Sequence, residues 1–561
     1  MRLFAVLAMV AATAAASVAG WWWFNRPVPI ALSFDEPFAS VSFAPFRWGE
    51  SPLSHDYPTR AEIERDLASL AGVAKGVRTY TAREGLGLVP EIAGKYGLEV
   101  THSAWLGREP PINDLEVRAL IAAANEHPDT IKRVIVGNEV LLRKDLTPEQ
   151  LIGYIRRVRA AVKQPVSYAD VWAFWLKHPE LAKEVDFITI HILPYWEDEP
   201  VSVDDAADHV VKVYRMVQQA FPGKPILIGE SGWPTRGRDR GPAAANMVNG
   251  AKFVRTLAKL AKENGFDYNV VEAFDQPWKA KLEGTIGANW GVVDDRRHVK
   301  FRMSGPVEEN PGWPVQAAAS ALLGAAGALW FLRRGLRHPP LRALAVAALA
   351  QGLAVLVVWQ AMNAWWLAYD IPGMIWAGIR VGLHAALAAL ILKAAGEGLR
   401  EGATPVASRW AERLVAMYAA AAVADTLILL VMGRYRDIPN IEFLVPALGV
   451  AAWALLRMGF YRLPWAKAFA VGRLFSDGAP GGFGPAKGMT LWLWASVLIA
   501  PLSEAVALAQ GDDFVAMHPK LSDQLPLLLG IMVANREMLV WSAMLALLSL
   551  PFWAEWRLKG R

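Results

Sequence analysis

The stretch KPILIGESGWPT at 224–235 decides the fold. Its apolar run at 226–228 ends abruptly in Gly229, Glu230, Ser231 and Gly232, followed by Trp233 and Pro234. A short apolar run bounded by Gly and Pro predicts a buried strand. Glu230 then stands at the strand's C-terminal lip, where parallel barrels build their sites. The stretch IKRVIVGNEVLLR at 131–143 has the same grammar, with a strand at 134–136 running into Gly137, Asn138 and Glu139. Two strands that each deliver one Glu beside a Gly suggest paired carboxylate chemistry. Either acid alone could equally cap a following helix.

Working outward, residues 31–312 alternate short apolar strands with amphipathic helical stretches, the pattern of an α/β chain. The predicted strands are 42–46, 77–80, 99–104, 134–136, 166–169, 187–191, 226–228 and 269–273. Eight strands in that length predict a closed (β/α)8 TIM barrel, with Glu139 after the fourth and Glu230 on the seventh. Helices are predicted at 59–71, after Pro58, and at 147–162, which opens TPEQ.

The two motifs carry a resemblance. GESGWPT after an apolar strand resembles the nucleophile signature of the family-17 glycoside hydrolases, the β-1,3-glucanase family, and GNEV resembles that family's acid/base strand. The resemblance covers the soluble half of the chain and implies a retaining double displacement, with Glu230 as nucleophile and Glu139 as acid/base. It also implies that Asn138 bonds a sugar 2-hydroxyl. EAFDQPWK at 272–279 resembles the final barrel element, with Asp275, Trp278 and Lys279 facing the cleft. Some relatives carry an acid where this chain has Gln276, and no role passes to that position. Arg78 and Tyr80 end strand two, and His191, Tyr195 and Trp196 end strand six, so all five are expected to bind substrate. Trp105, Trp172, Trp175, Trp233 and Trp278 could stack on pyranose faces or pack the barrel, with sugar contact favoured for Trp233 and Trp278.

Retaining chemistry needs the two carboxyl groups about 5–5.5 Å apart. Their environments must also separate their pKa values, because the acid starts protonated and the nucleophile ionised. No cofactor or metal is expected. His102, His191 and His209 lack metal-ligand spacing, and the GxG at 85–87 lacks the rest of a dinucleotide fingerprint. The absence of Cys excludes disulfides and thiol nucleophiles. The net charge of +5 is not a nucleic-acid footprint, because the basic residues cluster beside apolar spans.

The chain's 561 residues exceed what one core serves. A hydrophobic share of 54% and 25 Trp residues point to lipid or sugar contact. Residues 1–25 are expected to form an uncleaved transmembrane anchor, although the small residues at 15–19 could offer a cleavage site. After Pro311 come seven apolar spans, near 314–332, 341–367, 373–392, 411–432, 441–461, 489–510 and 526–552. Each is long enough to cross a hydrocarbon core of about 30 Å. With Met1 in the cytoplasm, Arg333, Arg334, Arg337, Arg342, Lys393, Arg400, Arg409 and Arg413 fall inside. So do Arg457, Arg462, Lys467, Arg473, Lys487, Arg557, Lys559 and Arg561, while the opposite loops hold only Arg434, Arg436 and Lys520. The bias predicts eight spans with both termini cytoplasmic and the barrel outside. The resemblance extends to bacterial membrane proteins that help build β-(1,3),(1,6)-glucans, and it implies a multi-pass protein of a bacterial inner membrane with a periplasmic catalytic domain. Arg380, His384, Asp425, Glu504, Arg536 and Glu537 lie within or beside spans, where they either pair with one another or line a path.

The expected function is a β-1,3-glucan-active enzyme that transfers glycosyl groups in glucan synthesis or remodelling. The expected partners are a β-glucan, membrane lipid and a membrane glucan synthase, and no nucleic acid. The alternatives are a hydrolytic endo-β-1,3-glucanase and a glucan-binding transport or assembly scaffold.

Overall fold

The computed structural model describes residues 3–332, 338–400, 409–475, 483–511, 514–515 and 518–559. Arg333, Arg334, Arg337, Arg561 and the side chain of Arg434, counted above, lie outside the described residues. The chain forms two compact units. One comprises Pro27–Val307 with Gly511–Pro519, and the other Met1–Arg26, Glu308–Gln510 and Lys520–Arg561.

The first unit is a closed barrel. Its strands are β1 (Val41–Ser42), β2 (Gly76–Arg78), β3 (Glu99–Ala104), β4 (Ile131–Asn138), β5 (Val166–Val171), β6 (Ile188–His191), β7 (Ile226–Ser231) and β8 (Asp267–Val270). They pair in sequence order, all parallel, and β8 closes on β1. Val77, Val100, Val134, Ile188 and Ile228 are fully buried in one continuous apolar core. Burying each such side chain stabilises the barrel by roughly 1.5–3 kcal/mol.

The helix starts follow their caps. Arg60–Leu70 begins at Thr59 and Pro148–Arg159 at Thr147, each closed by a capping box with Glu62 or Gln150. The second helix stops at Arg159, short of the expected 162. The last strand also ends before its apolar run does. From Glu272 onward the backbone turns to the 288–293 segment, with Glu272 N donating to Trp290 O at 3.1 Å and Asp275 N to Val293 O at 2.9 Å, while Ala273 N still donates to Ser42 O on β1 at 2.9 Å.

Register shifts fall between Ile135 and Asn138 on β4, Ile190 and His191 on β6, and Ile228 and Ser231 on β7. Irregularities of this kind re-aim side chains at barrel rims. Here they sit at the strand ends that carry the acidic residues.

Among its described residues, the second unit holds eight helices long and apolar enough to cross a membrane. They are Leu3–Phe24, Trp313–Leu332, Pro340–Trp366, Ile371–Gly398, Arg409–Met432, Asn440–Tyr461, Ala486–Ala509 and Arg536–Lys559. Trp21 Nε1 donates to Ser320 Oγ at 2.9 Å and ties the first helix to the second. The span expected at 526–552 is corrected. A shorter apolar helix, Leu521–Ala534, ends at Asn535, and the long helix starts afresh at Arg536. Asn535 causes the break: its Oδ1 accepts from Met538 N at 2.9 Å as an N-cap, and its Nδ2 donates to Glu504 at 3.1 Å. Among the ionisable residues expected within or beside spans, Arg380 pairs with Glu442, and Asp425 with Arg436 at 2.8 Å. His384 lies between the Tyr418 hydroxyl and backbone carbonyls.

Candidate active site

The site assembles at the C-terminal ends of β2, β4, β6 and β7. Glu230 ends β7, and Glu139 follows β4 directly. Gly137 turns the chain with φ +87°, and Glu139 itself sits at φ +52°, in the left-handed region that side chains other than Gly rarely adopt. Its backbone N–H donates to Ala169 O at 2.8 Å, which anchors the turn to β5.

His191 bridges the two acids. Its Nδ1 lies 2.8 Å from Glu139 Oε1, and its Nε2 lies 3.5 Å from Glu230 Oε1. One oxygen of each carboxylate and a ring nitrogen of His191 lie within 4.8 Å of one another. That separation fits the retaining class and leaves no room for the wider gap of inverting enzymes, about 6.5–9.5 Å.

The Arg78 guanidinium is fully buried beneath this pair. It donates to Glu230 Oε1 at 3.1 Å, Gly229 O at 2.7 Å and Asn138 Oδ1 at 2.5 Å. Gly229 makes room for it: a Cβ there would stand 3.3 Å from Arg78 Nη1 and 2.3 Å from Thr189 Cγ2. Because the guanidinium already supplies positive charge to Glu230, the Glu139, His191 and Glu230 cluster is an ionic network rather than a cation site.

Burial pushes the Glu139 carboxyl up. The His191 hydrogen bond and the charges of His191, Arg143 and Arg78 outweigh it and hold Glu139 below the ordinary carboxylate range. The resting barrel therefore presents Glu139 as a base engaged with His191. The Tyr80 hydroxyl donates to Ser42 Oγ at 2.9 Å and is pushed well above the usual phenol range, by burial and then by the Glu230 charge.

Several residues expected to bind sugar are placed otherwise. Arg78 and His191 are enclosed and each bonds an acid. Asn138 is buried and accepts from Arg78. The buried Tyr195 donates to Arg238 O at 2.6 Å. Trp233 is only 1% exposed, donates to Ala244 O at 2.9 Å and packs between Tyr195 and Phe253. Asp275 does not face the cleft; it is buried against Lys300 at 2.7 Å, and burial pushes its carboxyl up to about 6. Trp172 and Trp175 are core residues. Lys279 bonds Glu272 at 3.1 Å. Among the aromatic candidates, half-buried Trp196, half-buried Trp278 and exposed Trp105, which lies under the Arg143 guanidinium, keep ring surface at the rim.

Three acids went unread in the sequence. Burial pushes Glu272 up to about 7 and also raises Glu283, which feels the charges of Glu139 and Glu230. The spacing of Glu283 four residues after Lys279 was the available signal. Burial likewise pushes Asp170 on β5 up to about 7, with the Glu139 charge adding to the effect.

A closed parallel barrel with two carboxylates at retaining distance defines a glycosidase-type site. Residues 40–291 match the family described as BtgE/BtgC glycoside hydrolase domain. The chain is 29% identical over 300 residues to the putative glucan endo-1,3-beta-glucosidase btgC of Aspergillus niger, covering 47% of this chain and 42% of that protein. It is 29% identical over 261 residues to the glucan 1,3-beta-glucosidase of Arthroderma benhamiae, covering 43% of this chain and 84% of that protein. A crystal structure of a family-17 beta-1,3-glucanosyltransferase from Rhizomucor miehei is 28% identical, with a TM-score of 0.43, over 48% of this chain and 97% of that one.

Proposed function

We propose that the barrel is a retaining β-1,3-glucan-active enzyme that passes the glycosyl group to a sugar hydroxyl rather than to water. The observation that carries the reading is the approach of Glu139, His191 and Glu230 to within 4.8 Å at adjoining strand ends. Glu230 attacks the anomeric carbon and forms a glycosyl-enzyme, while Glu139 donates a proton to the leaving oxygen and then takes one from the acceptor. The names of the relatives support a β-1,3-glucan substrate. Trp105, Trp196 and Trp278 offer faces on which an acceptor could be held over the intermediate, and positioning of that kind raises effective concentration by orders of magnitude.

The test is incubation of the purified full chain with laminari-oligosaccharides. Transfer products should rise relative to hydrolysis as oligosaccharide concentration rises, and linkage analysis should show a new β-1,3 or β-1,6 bond. Trp196→Ala or Trp278→Ala should lower transfer more than hydrolysis. Shorter fragments alone, at any acceptor concentration, would instead establish the endo-β-1,3-glucanase, and unchanged substrate would leave the binding scaffold.

The reading also places the eight apolar helices across a bacterial inner membrane, the barrel in the periplasm, and a membrane glucan synthase as its supplier of glucan. The excess of Lys and Arg on alternate loops supports it. A reporter active only outside the cytoplasm should work when fused at Gly312 and stay silent after His338 or Lys559. Activity after Lys559 would overturn the even number of spans.

A further inference from the structure

Beside Glu139 lies a buried acid that the displacement mechanism does not use. Asp170 is fully buried on β5. Its Oδ1 accepts from Val171 N at 2.8 Å, and its Oδ2 accepts the Tyr168 hydroxyl. The same Tyr168 oxygen accepts from Leu141 N at 3.0 Å, two residues past Glu139. The Tyr168 ring closes the other side of the turn, and a Cβ on Gly137 would stand 3.5 Å from it. Asp170, Tyr168 and the Ala169 carbonyl that accepts from Glu139 N therefore form one anchor, on one strand, for the left-handed turn.

The geometry points to Asp170 as a positioning residue for the acid/base: through Tyr168 it fixes the Glu139 turn and with it the reach of the Glu139 carboxyl. This rests on the reading of Glu139 as acid/base. The charged and titratable groups facing Glu139 are Glu230 from β7, His191 from β6, Arg78 from β2, Arg143 from its own loop, Tyr168 and Asp170 from β5, and Glu283 from the last barrel segment. His191, Arg143 and Arg78 draw Glu139 toward its ionised form. A general acid must stand within hydrogen-bond reach of the leaving oxygen, and the Asp170–Tyr168 pair fixes the turn that sets that reach. No atom of Asp170 touches the reacting bond.

The test is Asp170→Asn in the full chain, with Tyr168→Phe as a second variant that keeps the ring in the core. With an oligosaccharide donor, either variant should lower kcat by about tenfold with KM little changed, because a displaced acid fails at the leaving oxygen rather than in binding. Donors with a good leaving group, which need no acid, should show little change. An equal loss on both kinds of donor would reduce Asp170 to a structural residue and overturn the inference. If Asp170→Asn fails to fold, the same comparison on Tyr168→Phe decides the matter. Wild-type inactivity on both kinds of donor would instead end the functional reading on which the inference rests.

Discussion

Glu230→Gln is expected to lower turnover by roughly 10⁴-fold or more, the scale on which covalent enzymes lose activity with their nucleophile. The amide is nearly isosteric and can still accept from Arg78, so the barrel should melt close to the wild type. Glu139→Gln should cost about 10²–10⁴-fold on oligosaccharide donors, the range for loss of general acid–base catalysis. The two variants should differ with an aryl donor that departs without protonation. The Glu139 variant should then form its glycosyl-enzyme and stall, and the Glu230 variant should not react. Azide should release the stalled Glu139→Ala enzyme as a glycosyl azide of retained configuration. Normal turnover in Glu230→Gln, or an azide product of inverted configuration, would end the assignment.

The second large effect concerns stability. Arg78→Met should destabilise the barrel by about 3–5 kcal/mol, because it strands Glu230 without its counter-charge in a largely enclosed site. Arg78 is fully buried and the Glu230 side chain is 11% exposed, so water can do little to compensate. For a domain of this size that corresponds to a fall in melting temperature of roughly 10 °C. Adding Glu230→Gln to Arg78→Met should recover much of the loss, since the carboxylate then goes with its partner. A single-variant change below about 1 kcal/mol would show that the pair is solvated and that Arg78 is no clamp.

How much of this was legible follows from where the information lies along the chain. The eight strands could be read because each is a local apolar run punctuated by Gly or Pro. The acids could be read because each follows its run at once. The left-handed turn at Glu139 was half visible, in the Gly that precedes it. The role of Arg78 was not, because it is a contact between residues 152 positions apart that exists only once β2 and β7 share a barrel. Trp233 stands in the most informative motif of the chain, yet its ring fills the core; the motif marks the strand end and does not say which way the next ring turns. Asp170 follows Ala169 on an unremarkable strand, and nothing local announces that Tyr168 will carry its influence to the neighbouring turn. The last apolar window failed for a related reason: Asn535, Arg536 and Glu537 hardly lower the mean hydropathy of the long apolar stretch around them, yet the Asn caps a helix.

The pairing of the first two long helices also bears on how the chain is made. Leu3–Phe24 leaves the ribosome long before Trp313–Leu332, the helix it bonds through Trp21 and Ser320. Between them lies the whole segment Pro27–Val307. As an unfolded tether that segment would disperse its two ends, and the probability of their meeting falls as the loop lengthens. Once the barrel has folded, Val28 and Val307 lie side by side in an antiparallel bridge, and the tether shortens to a few residues at each end. Barrel folding is thus a step in pairing the two helices, raising the local concentration of one at the other. A barrel that folds late during synthesis leaves the first helix without its partner for longer.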